Sequence, residues 1–383
     1  MKKIFILLFA ISLSSICYAQ IGISDDDDST KIECSHKSLD LGSHNSGISF
    51  GNSQRWNGLR FNFSDCGTEE INGINITLWK PGRNPNSAVS GLSLGLAPHA
   101  SKLKGLSIGL AAVVANRELS GISIGGLAVV SNGSVAGMNL GGLAVVANGD
   151  LRGINFGGLA VVANRDMLGV NFGSLAIVAN GDSKGINFGG LAVVANGSMT
   201  GLNIGGAAVV SNQDMLGINI GGLATVANGE LKGINFGGIA VVANKNMSGI
   251  TVGGIAVVAN GSMTGINMGG IAVVSTEDIT GLSVAIGAIV SKGLIKGINV
   301  AGYKTEADEF VGVNIAGGWS EITDFTGVSI SGYNRITGVQ TGLVIGLFNS
   351  TDELHGIQIG LINIAKNNRG IAKVLPFFNF HFD

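Results

Sequence analysis

The amino-acid sequence predicts an all-β fold, a repeat β-solenoid in which each sixteen-residue unit forms one coil. A glycine recurs every sixteen residues, without insertion or deletion, from Gly105 to Gly297. Each unit also contains two short runs of residues that favour pleated strands. The chain has 63 glycines in 383 residues, and glycines at this density would destabilise any helix.

The unit that begins at Gly153 illustrates the repeat. Its first run is residues 153–157, its second run is residues 159–164, and a polar connector with turn-forming residues follows. We expect roughly seventeen such coils, stacked into a rod on the order of 80 Å long. Because buried apolar side chains stabilise a fold, the predicted interior of this unit consists of large apolar residues. These residues are Ile154, Phe156, Leu159 and Val161.

An up-and-down outer-membrane β-barrel, with one strand per unit, is the alternative architecture. Barrel strands alternate in direction, so the connectors should show a thirty-two-residue period, which they lack. Neither face of a unit drawn as a single strand is polar enough for a water-filled lumen. The C-terminal residues Phe378, Phe380 and Phe382 favour the barrel, because they share one face of a terminal strand.

An asparagine ends the second run of most units, which favours the solenoid. In stacked coils these residues would form a ladder of amide hydrogen bonds. The alternative is that each asparagine only suits its own turn. The candidate ladder includes Asn148, Asn164, Asn180 and Asn196.

The sequence divides into six predicted segments. They are a signal peptide at 1–19, a polar flexible leader at 20–50, an N-terminal cap with degenerate repeats at 51–104, the regular array at 105–300, irregular and more aromatic repeats at 301–365, and a C-terminal capping strand at 366–383.

The N-terminus predicts export to the outer membrane or the cell surface. Lys2 and Lys3 precede an apolar stretch at 4–11, and the small residue Ala19 suits a cleavage site. A lipoprotein signal, with Cys17 as the lipidated residue, is the alternative. In an exported chain Cys34 and Cys66 predict one disulfide, with two unrelated thiols as the other reading.

Charge and motifs exclude several functions. The net charge of −2 and the scattered basic residues give no field for nucleic acid. We predict no catalytic, cofactor-binding or metal-ligating residues and no cofactor. The acidic residues of the connectors are expected to be solvated turn residues rather than a calcium site. The nearest approach to a catalytic cluster consists of Trp319, Glu321, Asp324 and Tyr333, which we expect to cap the last coils.

The phrase at 153–164 resembles the glycine-rich surface-repeat proteins of bacteria. The opening phrases at 57–63 and 72–79 and the closing phrases at 354–363 and 374–380 are similar as well. This resemblance implies an exported envelope or surface protein of unsettled biochemical role. It supplies no catalytic residues.

These observations predict a non-enzymatic, exported structural protein that offers an extended contact or assembly face at the bacterial cell envelope. Its partners are unknown, with the outer membrane or other envelope components as candidates, and self-association is compatible with the same face. The alternatives are an outer-membrane β-barrel that acts as a pore or anchor and, less favoured, a glycan-active β-helix enzyme.

Overall fold

The computed structural model describes residues 34–79, 82 and 84–382. The chain divides into two units, Met1–Ser35 and His36–Asp383, and all strands described below belong to the second unit. The predicted signal peptide, Cys17 and residues 20–33 of the predicted leader lie outside the described residues.

The described chain is almost entirely β-structure. Its strands are β1 Ser38–Ser43, β2 Ser46–Gly51, β3 Arg55–Asn62, β4 Glu70–Thr77, β5 Ala88–Gly95, β6 His99–Gly109, β7 Ala112–Gly125, β8 Ala128–Ser131, β9 Ser134–Gly141, β10 Ala144–Ala147, β11 Leu151–Gly157, β12 Ala160–Ala163, β13 Met167–Gly173, β14 Ala176–Ala179, β15 Ser183–Gly189, β16 Ala192–Ala195, β17 Met199–Gly205, β18 Ala208–Ser211, β19 Met215–Gly221, β20 Ala224–Ala227, β21 Leu231–Gly237, β22 Ala240–Ala243, β23 Met247–Gly253, β24 Ala256–Ala259, β25 Met263–Gly269, β26 Ala272–Ser275, β27 Ile279–Ala285, β28 Ala288–Ser291, β29 Leu294–Ala301, β30 Lys304–Ile345, β31 Phe348–Ala365 and β32 Val374–His381. A short 3₁₀ turn, Gly370–Lys373, precedes β32. No helix among the described residues is long and apolar enough to cross a membrane.

The strands form a β-solenoid of about 19 turns with coils of about 16 residues. A typical coil has a long first strand, such as β11, and a short second strand, such as β12. The first strand β11 pairs in parallel with β9 and β13, and equivalent repeat positions lie side by side. The second strand β12 pairs in the same way with β10 and β14. Parallel neighbours confirm the solenoid and replace the barrel alternative, which requires antiparallel neighbours.

Two glycines allow this close stacking, the first in every coil of the regular array and the second in most of them. Gly153 has a φ of 110°, a conformation that side chains of L-residues rarely adopt. A Cβ atom at this position would lie 2.1 Å from the carbonyl oxygen of Gly137 in the preceding coil. At the corner of the coil, a Cβ on Gly158 would lie 1.9 Å from the carbonyl oxygen of Gly142. The sixteen-residue glycine period is therefore a requirement of backbone packing.

The interior lies between the layer of first strands and the layer of second strands. In the unit at 151–166, Leu151, Val161 and Ala163 are fully buried. The predicted interior is correct for Val161 only. Ile154, Phe156 and Leu159 face outward, with 43%, 37% and 45% of their surface exposed.

An antiparallel strand covers each end of the stack. At the N-terminal end β1 pairs with β2, and at the C-terminal end β32 pairs with β31. These strands occupy edges that would otherwise offer free backbone groups to another chain. β1 and most of β2 fall in the segment 20–50, which the sequence predicts to be a polar leader.

Candidate functional site

The orientation of the first strand determines what the surface of the solenoid offers. Along β11, Leu151, Asn155 and Gly157 are buried, whereas Ile154 and Phe156 are exposed. The strand thus turns its amide inward and its two largest apolar side chains outward. The usual strand buries its apolar side chains and exposes its polar ones, because a buried polar group is costly unless it has a hydrogen-bond partner.

The inward asparagines find their partners in one another. We call the following set the inner amide column: Asn139, Asn155, Asn171, Asn187, Asn203, Asn219 and Asn235. The side-chain Nδ2 of each residue donates to Oδ1 of the next one at 2.8–2.9 Å. Because neighbouring coils place these residues side by side, each amide inside the column is satisfied by its own copies. The core can therefore hold Asn155, where the sequence predicts Ile154 and Phe156 as interior residues.

The inner amide column ends where the side chain becomes too short. Thr251 follows Asn235 in register, and Ser283 follows Asn267. Asn235 Nδ2, Thr251 Oγ1, Ser283 Oγ and both polar side-chain atoms of Asn267 have no hydrogen-bond partner. At these positions the hydroxyls of Thr251 and Ser283 do not reach the amides of the neighbouring coils.

A second amide column lies at the surface. It contains all four predicted ladder residues and consists of Asn132, Asn148, Asn164, Asn180, Asn196, Asn212, Asn228, Asn244 and Asn260. From Asn148 onward, each Nδ2 in this outer amide column donates to Oδ1 of the preceding coil at 2.7–3.2 Å. These bonds are exposed, so water competes for them and their net contribution is small.

Two outward columns of the first strands are entirely apolar. The first is Leu41, Ile48, Leu59, Ile74, Leu92, Leu106, Ile122, Met138, Ile154, Val170, Ile186, Leu202, Ile218, Ile234, Ile250, Ile266, Leu282, Ile298, Val313, Val328, Leu343, Ile357 and Phe380. The second is Leu39, Phe50, Phe61, Ile76, Leu94, Ile108, Ile124, Leu140, Phe156, Phe172, Phe188, Ile204, Ile220, Phe236, Val252, Met268, Val284, Val300, Ile315, Ile330, Ile345, Ile359 and Phe378. No member of either column is buried.

A third apolar column follows the corner between the two strands of a coil. Its members are Leu127, Leu143, Leu159, Leu175, Leu191, Ala207, Leu223, Ile239, Ile255 and Ile271. The large members are between 42% and 61% exposed. We call the three columns together the outer apolar face.

The outer apolar face is large for an exposed surface. With coils about 4.8 Å apart and residues about 3.3 Å apart along the strand, its area is on the order of 1,500 Å². The largest apolar patch of a typical soluble monomer is about 300–600 Å². A shallow groove of about 650 Å³ runs along this face, with Phe156, Phe172 and Phe188 on one side and the corner glycines in its floor.

Within the regular array at 105–300, charged residues are confined to the edge of the coil opposite the corner. Beyond the array, Lys304 and Glu306 lie in the second-strand layer, in register with Ala288 and Val290. Arg152 pairs with Asp150 at 2.9 Å, Lys184 with Asp182 at 3.3 Å, and Lys232 pairs with Glu230. The connector acids also cap turns: Asp166 Oδ1 accepts the backbone N–H of Asp182 at 2.9 Å. These contacts account for the acidic column as turn structure. Within the described ranges no group of acids, histidines and cysteines is arranged to hold a metal ion.

The four residues nearest to a catalytic cluster make structural contacts. Glu321 forms ion pairs with Lys304 at 3.2 Å and with Arg335 at 3.3 Å. Asp324 Oδ1 accepts the backbone N–H of Val339 at 2.8 Å. Trp319 and Tyr333 pack edge to face, with ring centroids 5.2 Å apart. The two carboxylates are therefore engaged separately, in an ion-pair group and in a turn.

A buried ion pair replaces the amides at the N-terminal end of the stack. Arg60 lies beside Asn75 in the register of strands β3 and β4, and it is fully buried. Its guanidinium donates to Asp65, to Asn75 Oδ1 at 2.8 Å and to Asn52 Oδ1 at 3.1 Å. Asp65 also accepts from Thr77 Oγ1 at 2.6 Å. Both members of the pair thus have several partners, as a buried charge requires.

The pKa of the Asp65 carboxyl reflects this environment. Burial alone would raise it, but the positive charge of Arg60 and the hydrogen bonds from Thr77 and Asn62 outweigh burial and hold it below the ordinary value of 3.8. The nearby Cys66 and the predicted partner Cys34 are both disulfide-bonded.

No protein-family model, curated protein or solved structure matches this chain. The resemblance to glycine-rich surface-repeat proteins therefore remains a prediction from the sequence. The main feature of the solenoid surface is the outer apolar face, which lies over an interior that contains the inner amide column.

The inner amide column predicts that alanine substitution lowers stability much more at a buried asparagine than at an exposed asparagine with the same number of hydrogen bonds. Replacing Asn187 by alanine leaves Asn171 Nδ2 and Asn203 Oδ1 buried without partners, and it should lower the free energy of unfolding by about 2–5 kcal/mol. Asn180→Ala breaks the same number of bonds in the outer amide column, where water replaces them, and should cost about 1 kcal/mol or less. Urea denaturation of both variants measures the difference, and equal losses would contradict the buried column.

The N-terminal ion pair predicts a specific loss of stability in acid. Folding lowers the pKa of Asp65, so the ionised carboxylate stabilises the folded state. This stabilisation is fully present at a pH above the ordinary pKa of 3.8 and is lost as the pH falls through the lower pKa of the folded state. Trp56 is buried in β3 and reports on this region. In a background with Trp79→Phe and Trp319→Phe, unfolding in urea can be followed by the fluorescence of Trp56 alone. The urea concentration at the midpoint of this transition should decrease once the pH is lowered below about 4.

Asp65→Asn is the matching variant. It should lower the Trp56 midpoint at neutral pH, because it leaves the Arg60 charge buried and unpaired. It should also make the urea midpoint reported by Trp56 less dependent on pH in the acid range. An unchanged pH profile in this variant would show that other carboxylates cause the acid sensitivity.

Proposed function

We propose that this protein is an exported, non-enzymatic structural protein of the bacterial cell envelope, which acts by contact through the outer apolar face. The observation that carries the proposal is the two outward columns without one polar member between Leu41 and Phe380. Single apolar residues on a surface are ordinary, but two unbroken columns of them are not. An outward position in water has no need of an apolar residue in every coil.

Folding alone gives no reason for these side chains to be outside. The interior is filled by the Leu151, Val161 and Ala163 positions and by the inner amide column. The outward columns contribute only contacts between neighbouring coils, such as the stacked rings of Phe156 and Phe172, 4.9 Å apart. Serine or threonine on a solvated strand would serve the backbone equally well. A binding role explains why the columns stay apolar.

A contact role agrees with the chemistry of the remaining surface. In the part of the chain that the structure describes, the connector acids cap turns or pair with basic residues, and Glu321 and Asp324 are engaged separately. The N-terminal sequence, with Lys2 and Lys3 before an apolar stretch, supports export. The resemblance to bacterial surface-repeat proteins supports a place in the envelope.

Cell fractionation tests this function. The full chain, expressed in a Gram-negative host, should be found with the cell envelope. The double variant Ile186→Ser with Phe188→Ser removes two large side chains from the outer apolar face and should reduce the envelope-bound share by about tenfold. The control Arg165→Ser with Lys245→Ser changes exposed residues of the opposite edge and should fractionate like the wild type. A face variant that is folded and still envelope-bound in the wild-type proportion would refute the contact role.

A further inference from the structure

We infer that the partner of the outer apolar face is a lipid layer, into which the solenoid inserts the corner of its coils. This inference rests on the proposed contact function and names the partner of the same surface. It follows from the cross-section of a coil, from the hydrogen bonding of the corner and from the position of the charged edge.

The apolar surface continues around the corner onto the second strands. In every regular coil the second strand has an alanine and a valine on its outer side, as Ala160 and Val162 do in β12. Both are partly exposed. The apolar arc therefore covers the outer half of the first strand, the corner and the second strand.

The convex shape of this arc favours a fluid partner. The corner column stands between two apolar sides, and Leu159 is 45% exposed. A second copy of the chain that packs on the layer of first strands would cover one side and leave the corner and the second strands in water. Lipid chains surround all three sides at once.

The backbone N–H groups at the corner are bonded within the protein, as a hydrocarbon environment requires of polar groups. Gly158 N–H donates to Gly141 O at 3.0 Å, and Leu159 N–H donates to Leu143 O at 2.7 Å. Ala160 N–H donates to the same Leu143 oxygen at 3.1 Å. The same pattern recurs in the neighbouring regular coils, so these donors need no water.

The dimensions fit one leaflet. From Ile154 to Leu159 the chain advances about 15 Å, which is half of the hydrocarbon thickness of about 30 Å. The outer amide column and the connectors lie at the opposite edge. Arg152, Lys184 and Lys232 stand on the first strands between the apolar columns and that edge, each beside an acidic residue. This places paired charges at the level of lipid headgroups, where polar and basic side chains are favourable.

Vesicle flotation tests the inference on the purified full chain. Wild type is mixed with vesicles of phosphatidylethanolamine and phosphatidylglycerol, or of phosphatidylcholine alone, and should float with both. The corner variant Leu159→Ser with Leu175→Ser should lose at least about tenfold in partitioning. The matched control is Leu168→Ser with Leu216→Ser, which changes leucines of similar exposure at the charged border and should retain most of the binding.

Sedimentation without lipid, of wild type and of the variant Ile186→Ser with Phe188→Ser, distinguishes a failure of the lipid inference from a failure of the proposed contact function. If wild type does not float but forms multimers that Ile186→Ser with Phe188→Ser dissociates, the partner is a second copy, and the lipid inference fails while the contact function stands. If the corner and border variants lose binding equally, insertion by the corner is wrong. If wild type neither floats nor self-associates and Ile186→Ser with Phe188→Ser leaves envelope fractionation unchanged, the proposed function fails as well.

Discussion

The solenoid depends on the parallel stacking of equivalent residues from one coil to the next. The backbone ladder places each residue of β11 beside its counterparts in β9 and β13. A residue type is therefore acceptable only if it tolerates copies of itself about 4.8 Å away on both sides. Glycine meets this condition where a Cβ would collide with the neighbouring carbonyl, and asparagine meets it because an amide both donates and accepts.

This condition explains the inverted distribution of polar and apolar residues. A buried asparagine is ordinarily costly, but in the inner amide column its hydrogen bonds are made by the same residue of adjacent coils. The narrow space between the layers then accepts Leu151, Val161 and Ala163 and leaves the larger Phe156 outside. The alternation of the strand places Asn155 inside and its neighbours Ile154 and Phe156 outside, but it does not require the outward residues to be apolar.

The sequence was sufficient to predict the solenoid, because the period, the glycines and the turn residues are local signals. It was not sufficient to predict which side of the first strand faces inward. The alternation of Ile154, Asn155 and Phe156 defines two faces, and the general preference for apolar cores selects the wrong one. One signal was available: the same side that holds Asn155 also holds Gly153 and Gly157, so it is the narrow side. The ion pair of Arg60 and Asp65 could not be predicted, because Arg60 lies in a degenerate repeat whose register only the structure defines.

The central claim is that asparagine, and not isoleucine or phenylalanine, occupies the interior of the first-strand layer. Thiol labelling of the single variants Ile186→Cys, Asn187→Cys and Phe188→Cys in the folded protein tests this claim most directly. The account predicts that the cysteines at positions 186 and 188 react with a maleimide nearly as fast as in urea, whereas the one at 187 is protected. Rapid reaction at 187, together with protection at 186 and 188, would contradict it.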